Sequence, residues 1–443
     1  MVVRVEVRGA HDSLLHQVVG RALPLLRARM EEQDRSLPPF VWRALEAFVD
    51  CGDPARGFAW LVCDCGFHRL VPFSCKGRGF CPACIGRRMA ERAARWVDEL
   101  LPAVPVRQWV LTVPWAHRWH LARCPELLRE VDQVLVRTVS AWLASRSGLG
   151  KLGQSGAISV TQRFGSALNL NVHLHVLVLD GVYDPHGSFV RVSPPTTEEV
   201  AQLLARIRAR VERRFAARGL TSADEADEAD DTEDVLARVH ADAVAGRGAR
   251  RHRGPRSSSR RLPPRCAALE GYTLHAGVGI GAADREGLER LCRYVCRPPL
   301  PEARLARTDD DRLLLTLKRP WDDGTTGFTF EPVDLVQRLA ALVPPPSAHQ
   351  VVYHGVFAPR SKRRALVTAR ARGPPPVRDR KVRVKPTPLS AWAELLLRVF
   401  GADGFACPVC HHRLRLRALV LSPRPAGRIL AGLARSAARA PPP

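Results

Sequence analysis

Five cysteines crowd into the 22 residues from Cys63 to Cys84, as Cys63-Asp-Cys65, then Cys75, then Cys81-Pro-Ala-Cys84, with the turn Lys76-Gly77-Arg78-Gly79 between Cys75 and Cys81. The opening stretch MVVRVEVRGAHDSLL lacks the charged-then-apolar layout of a secretory signal. The chain is therefore expected in the cytosol, where thiols stay reduced and cysteine groups serve metals rather than disulfides. Cys-x-x-Cys pairs drawn together by tight turns are the usual donors to a tetrahedral zinc ion. Five thiols compete for four places: Cys63, Cys65, Cys81 and Cys84 are the preferred set, Cys75 the substitute, and His68 a weaker contender. The role expected is structural, because a small loop-rich segment takes its folding energy from the ion. Lys76, Arg78, Arg87 and Arg88 would then present cations to a phosphate backbone.

A second pair, Cys407-Pro-Val-Cys410, is followed by His411 and His412. Cys407, Cys410 and His411 offer a second zinc site, with ligands shared from elsewhere in the chain; unligated thiols are the alternative. The same Cys-x-x-Cys-His spacing serves covalent haem, but that attachment needs export.

The charge balance, 68 Lys and Arg against 44 Asp and Glu, calls for a polyanionic partner, and nucleic acid is the first candidate. A membrane is not expected: the apolar runs are interrupted too often to span a bilayer. With 443 residues the chain has room for two or three domains. Residues 1–100 read as a helical and zinc-binding region, 101–345 as an α+β core, and 346–443 as a basic arm ending in the small Cys-x-x-Cys element. Helices are predicted at 12–32, 38–50, 86–100, 125–144, 197–217, 284–297, 331–343 and 427–438, and strands at 106–113, 156–164, 171–179, 272–280 and 312–318. An insertion at about 221–265, with eight acids in 224–234 and eight arginines from Arg247 to Arg265, is expected to be disordered. From Arg360 to Lys385, eleven basic residues, one acid and a triple proline read as an extended arm suited to DNA.

Within the core, Leu170-Asn-Val-His-Leu-His-Val-Leu-Val-Leu179 reads as a strand, so His173 and His175 share one face while Leu174, Val176 and Val178 enter a core on the other. Two imidazoles so spaced can grip one divalent ion. A hairpin centred between Ala167 and Leu168 places Gln162 opposite His173 on the same face, the first choice for a third ligand, with His275 the alternative. On the predicted helix, Leu288, Leu291, Cys292 and Val295 form an apolar stripe, Tyr294 falls beside it, and Arg290 and Arg297 share the tyrosine's side. Positive charge there would hold a phosphate under attack. None of the other three tyrosines (Tyr183, Tyr272, Tyr353) has an equally cationic helical setting.

These residues together resemble the HUH endonuclease superfamily, and within it the rolling-circle insertion-sequence transposases that carry an amino-terminal zinc-binding region. The resemblance runs from about Phe40 to Phe357 and resumes at Cys407. Its most specific pieces are Phe73-Ser-Cys-Lys-Gly-Arg-Gly-Phe-Cys-Pro-Ala-Cys84, Gln162-Arg-Phe-Gly-Ser-Ala-Leu-Asn-Leu-Asn-Val-His-Leu-His175, Arg293-Tyr-Val-Cys-Arg-Pro-Pro299 and Lys318-Arg-Pro-Trp-Asp-Asp-Gly-Thr325. It implies an antiparallel sheet flanked by helices, of ferredoxin or RRM type, Mg2+ or Mn2+ on His173 and His175, and Tyr294 as nucleophile on single-stranded transposon ends. Some members carry a second tyrosine four residues earlier; Arg290 stands there, so the chain resembles a single-tyrosine type, with a second subunit of a homodimer or a free 3′-hydroxyl completing the reaction. Lys318 and Arg319 would clamp phosphates, and Trp321 would stack on a base or pack in the core. Host replication or helicase machinery would separate the strands, at the nucleoid of a bacterial cell. A replication initiator or relaxase of the same chemistry is the near alternative; a zinc-dependent nucleic-acid-binding regulator without catalysis is the distant one.

Overall fold

The computed structural model describes residues 4–7, 13–220, 235–254, 262–371 and 403–438. Its centre is a six-stranded sheet in the order β10-β11-β4-β6-β5-β15, formed by β4 (Val106–Thr112), β5 (Gly156–Phe164), β6 (Leu170–Leu179), β10 (Cys266–Leu269), β11 (Tyr272–Ile280) and β15 (Val351–Gly355). Every neighbouring pair is antiparallel. Alternation along β6 sorts its side chains. Leu174, Val176 and Val178 enter the larger core, with helices Trp115–Arg123, Pro125–Arg146 and Thr197–Ala216. Leu177 and Leu179 enter a second core, against Trp96 and Val97 and against Leu288, Leu291, Cys292 and Val295 of helix Arg285–Val295. Full burial of each such aliphatic side chain contributes about 1.5–3 kcal/mol, so the sheet is held from both sides.

The helix Arg285–Val295 forms where the apolar stripe predicts it, opened by Asp284, whose carboxylate accepts the Gly287 N–H at 2.7 Å. Pro298 and Pro299 keep it from continuing. Arg285 fastens its first turn by donating to the carbonyls of Pro102 and Leu101, at 3.2 and 3.0 Å. The hairpin β5–β6 has the predicted register, with Gln162 opposite His173. At the far end of β6, buried Arg107 and Asp180 pair through two hydrogen bonds of 3.0 and 2.8 Å, and Arg107 also donates to the Ala276 carbonyl of β11.

The α+β architecture matches expectation, but three segments depart from it. The zinc-binding region is more than helical: β1 (Arg4–Val7), β2 (Phe58–Val62) and β3 (Phe67–Pro72) join β16 (Arg415–Val420) in a sheet of order β1-β3-β2-β16. The last described strand thus completes the first sheet, while β15 belongs to the central sheet, so these described parts of the region after residue 345 pair with strands from earlier in the chain. Turns rich in cysteine and glycine hide these short strands from periodicity. The small hairpin β7 (Gly181–Tyr183) and β8 (Phe189–Arg191) follows β6.

The second departure lies in the charged insertion. Of the span 221–265, residues 221–234 and 255–261 lie outside the described residues, but Val235–Ala245 is a helix burying Ala237, Val239, His240, Ala243 and Val244. β9 (Arg250–Arg253) is an edge strand paired with β14 (Thr325–Phe330), beyond which lie β13 (Leu313–Thr316) and β12 (Leu305–Arg307). A run of exposed arginines suits a sheet edge, where charge discourages further pairing, and only strand pairing distinguishes it from a solvated tail. Third, the basic segment from Arg360 begins docked: Arg363 donates to the carbonyls of Leu152 and Tyr183, both at 3.1 Å, and Arg364–Ala371 is helical. Residues 372–402 lie outside the described residues.

Candidate active site and metal centres

His173 and His175 project from β6 toward the helix Arg285–Val295, their ring centroids 4.9 Å apart. The Nδ1 of His173 lies 2.8 Å from the Asn171 carbonyl oxygen. That oxygen only accepts, so Nδ1 carries the proton and Nε2 the lone pair. The Gln108 amide lies 2.6 Å from Nδ1 of His175. As placed, the amide nitrogen Nε2 faces the ring and donates to Nδ1; only the exchanged amide, with Oε1 toward the ring, would set the same tautomer as in His173. Nε2 of His175 is buried and has no hydrogen-bond partner among the described residues. Burial holds the His173 imidazole down at about 4. Burial first, then the neighbouring His173 and Arg297, pushes His175 well below the usual range. Both rings are neutral near pH 7, as metal ligands must be.

Gln162 is 3 % exposed and donates through Nε2 to the Val295 carbonyl at 2.8 Å. Its Oε1 is buried without a hydrogen-bond partner among the described residues, so an acceptor stands ready beside His173. His275 occupies the row His275, Val110, His175 across β11, β4 and β6, on the same face as the pair but two strands away from it. The Nε2 lone pair of His173, the unpartnered Nε2 of His175 and one orphaned buried oxygen suit a divalent cation, since buried polar atoms otherwise pair.

Tyr294 stands over this group, its ring centroid 5.8 Å from that of His175 in an edge-to-face arrangement. It is 46 % exposed, whereas Tyr183 and Tyr272 are buried and Tyr353 accepts a hydrogen bond from Trp96 at 2.9 Å. Among the four tyrosines it is the most exposed. The Arg297 guanidinium lies 4.3 Å from the Tyr294 ring centroid, while Arg290 is exposed and paired with Glu286. Lys318 and Arg319 are exposed. Trp321 donates to Ser166 Oγ at 3.3 Å and packs edge-on against Phe328, so it is partly committed to the core.

The cysteines form two groups of four, each with all Sγ atoms within 4.8 Å of one another: Cys51, Cys75, Cys81, Cys84, and Cys63, Cys65, Cys407, Cys410. The closer Sγ pairs include Cys63 and Cys410 at 3.3 Å and Cys51 and Cys81 at 3.7 Å. Zinc–sulfur bonds of about 2.3 Å in a tetrahedron require about 3.8 Å between sulfurs, so both groups fit zinc. In the first, hydrogen bonds among the thiols lower Cys51 and Cys84 and raise Cys75 and Cys81. A cation resolves such crowding by ionising all four.

This corrects the expected ligand set. Cys63 and Cys65 do not join Cys81 and Cys84; Cys75 is a ligand candidate in its own right, and Cys51, which the sequence reading missed, is its fourth companion. His411 is exposed and stands in neither group among the described residues, and His68 lies against the Trp60 ring instead. Parity was the signal: five clustered thiols plus two distant ones fall one short of two four-thiol sites until Cys51 is added. Gln108 was also missed, since a glutamine in an apolar strand has no distinguishing spacing. Lys76 is exposed, but Arg78 donates to the carbonyls of Ala348, Pro345 and Pro346, tying the knuckle to the loop before β15.

Two family models match. Residues 25–113 match one described as "Transposase zinc-binding domain", of IS91 type, and residues 156–365 match one described as "Putative transposase". The first spans six of the clustered cysteines; the second spans both histidines, Gln162 and Tyr294. No curated protein and no solved structure matches. Among the described residues, no helix is long and apolar enough to cross a membrane.

Proposed function

The chain belongs to the IS91-type transposases with an amino-terminal zinc-binding region, and from that premise we propose that it cuts and rejoins single-stranded DNA at transposon ends through a 5′-phosphotyrosine on Tyr294, in a rolling-circle reaction. The observation carrying this reading is the 5.8 Å approach of the Tyr294 ring to His175, beside an orphaned ligand atom on each of His175 and Gln162.

Nε2 of His173, Nε2 of His175 and Oε1 of Gln162 would hold Mg2+ or Mn2+, with His275 the alternative third ligand; the ion supplies Lewis-acid polarisation of a phosphoryl oxygen. Tyr294 Oη attacks phosphorus in line with the 3′-oxygen, forming one P–O bond as the other breaks; its proton passes to solvent and the leaving oxygen takes one up. Arg297, already against the tyrosine ring, is placed to hold the phosphate's negative charge. The ester to Tyr294 conserves the energy of the phosphodiester, so a 3′-hydroxyl can later displace the tyrosine and rejoin the strand without a nucleotide cofactor. With Arg290 at the place of a second tyrosine, the second transfer falls to a second subunit or to a free 3′-hydroxyl.

The test is metal-dependent nicking of single-stranded end DNA by the wild type and by His173→Ala. Cutting should be lost in the variant with zinc content unchanged; cutting at the wild-type rate would reject the metal assignment.

A further inference from the structure

A cleft runs from the zinc knuckle to the tyrosine helix, lined by Arg78, Arg88, Arg92, Arg297, Gln162 and Gln350 among others, with no Asp or Glu in its wall. It lies between helix Pro82–Arg95, which opens at the Cys81 knuckle, and the end of helix Arg285–Val295. Five arginines line the cleft, and although Arg163 turns its guanidinium to the Ala122 and Ala341 carbonyls, the other four leave a carboxylate-free wall that suits an anion. Two are held rigidly by backbone: Arg78 by the three carbonyls of the 345–348 loop, and Arg88 by the carbonyls of Cys84, Lys76 and Gly77. Arg297 reaches the same cleft while stacking on Tyr294, and Gln162 reaches it while standing opposite His173.

Resting on the nuclease reading above, we propose that this cleft binds a second phosphodiester of the same DNA strand, next to the scissile one, with Arg92, whose guanidinium otherwise meets only the neutral Cys296 thiol among the cleft's lining, as its principal contact. The zinc-binding region would then be part of the cutting site rather than a tether beside it: helix Pro82–Arg95 supplies Arg88 and Arg92, and helix Arg285–Val295 with its exit supplies Tyr294 and Arg297. A strand lying along this line has one phosphate at Tyr294 and its neighbour between the two helices. Such placement fixes which linkage meets the nucleophile, so the cleft sets the cutting position.

The test uses the full zinc-loaded chain, end-derived single strands carrying one uncharged methylphosphonate at a time around the cut, and the variants Arg92→Gln and Arg92→Lys. Binding is read by fluorescence anisotropy at several salt concentrations, and covalent adduct on denaturing gels. One neutral linkage beside the cut should weaken wild-type binding about tenfold and shift or blur the cutting position. Arg92→Gln should show the same loss on unmodified DNA, a salt slope lower by about one, and no further response to that linkage. Arg92→Lys should recover part of the affinity, which a merely structural role for the guanidinium would not give. A wild-type salt slope in Arg92→Gln, or an unchanged response to every neutral linkage, overturns the proposal. Absence of adduct from the wild type would count against the nuclease reading, while the binding measurements still decide the cleft.

Discussion

Gln162 bridges the two halves of the site: it stands opposite His173 in the β5–β6 hairpin and donates its amide N–H to the Val295 carbonyl, one residue beyond Tyr294, at 2.8 Å. One side chain thereby fixes the distance between histidine strand and tyrosine helix while leaving Oε1 free for a cation. Gln162→Ala should lower cleavage about 10–100-fold, with a higher requirement for Mg2+ or Mn2+. Wild-type rates at every metal concentration would remove Gln162 from the ligand set and favour His275.

Gln108 acts one layer out, 2.6 Å from Nδ1 of His175. Gln108→Leu keeps the bulk and removes the hydrogen bond, so apparent metal affinity should fall about 10–100-fold while the fold and zinc content stay intact. An unaltered metal titration would show that the ring orientation is set by packing alone.

The two cysteine groups predict two zinc ions per chain. Cys51→Ser should remove one and Cys407→Ser should remove the other, with protease sensitivity between residues 403 and 438 appearing only in the second variant. The composite site explains the difference, since Cys407 and Cys410 meet Cys63 and Cys65 across the chain, and buried Arg69 adds a hydrogen bond of 2.8 Å to the Gly404 carbonyl. A zinc content unaffected by Cys407→Ser would deny the second site.

Stability should depend on Asp180. Its side chain and that of Arg107 are almost fully enclosed, so Asp180→Ala strands a buried guanidinium and should cost about 3–5 kcal/mol in denaturant unfolding. Loss of under about 1 kcal/mol would mean that water reaches Arg107.

Long elements with one-sided apolar spacing were legible from the sequence, because their periodicity is imposed by a core that each must face. β5, β6, β11 and the tyrosine helix fall where spacing places them, and the Gln162 to His173 register follows from loop symmetry alone. What escaped were relations that depend on chain segments meeting from afar. Cys51 looks solitary until the fold delivers three more thiols, the pair Cys407 and Cys410 lacks its other two until it meets Cys63 and Cys65, and β16 has no visible partner until it reaches β2. Arg250 to Arg253 read as solvated charge because an edge strand and a tail share that composition. The shared face of His173 and His175 was legible for the same reason as the core, since both obey the strand's period of two.

The central claim concerns Tyr294, and the most direct measurement is denaturing gel analysis of the zinc-loaded protein after incubation with labelled single-stranded end DNA and Mn2+, for the wild type and Tyr294→Phe. A protein-linked fragment joined through its 5′-phosphate should form with the wild type and vanish with the variant, while DNA binding stays within about twofold. An adduct of equal yield from Tyr294→Phe would contradict the account, since the remaining three tyrosines are buried or hydrogen-bonded away from both histidines.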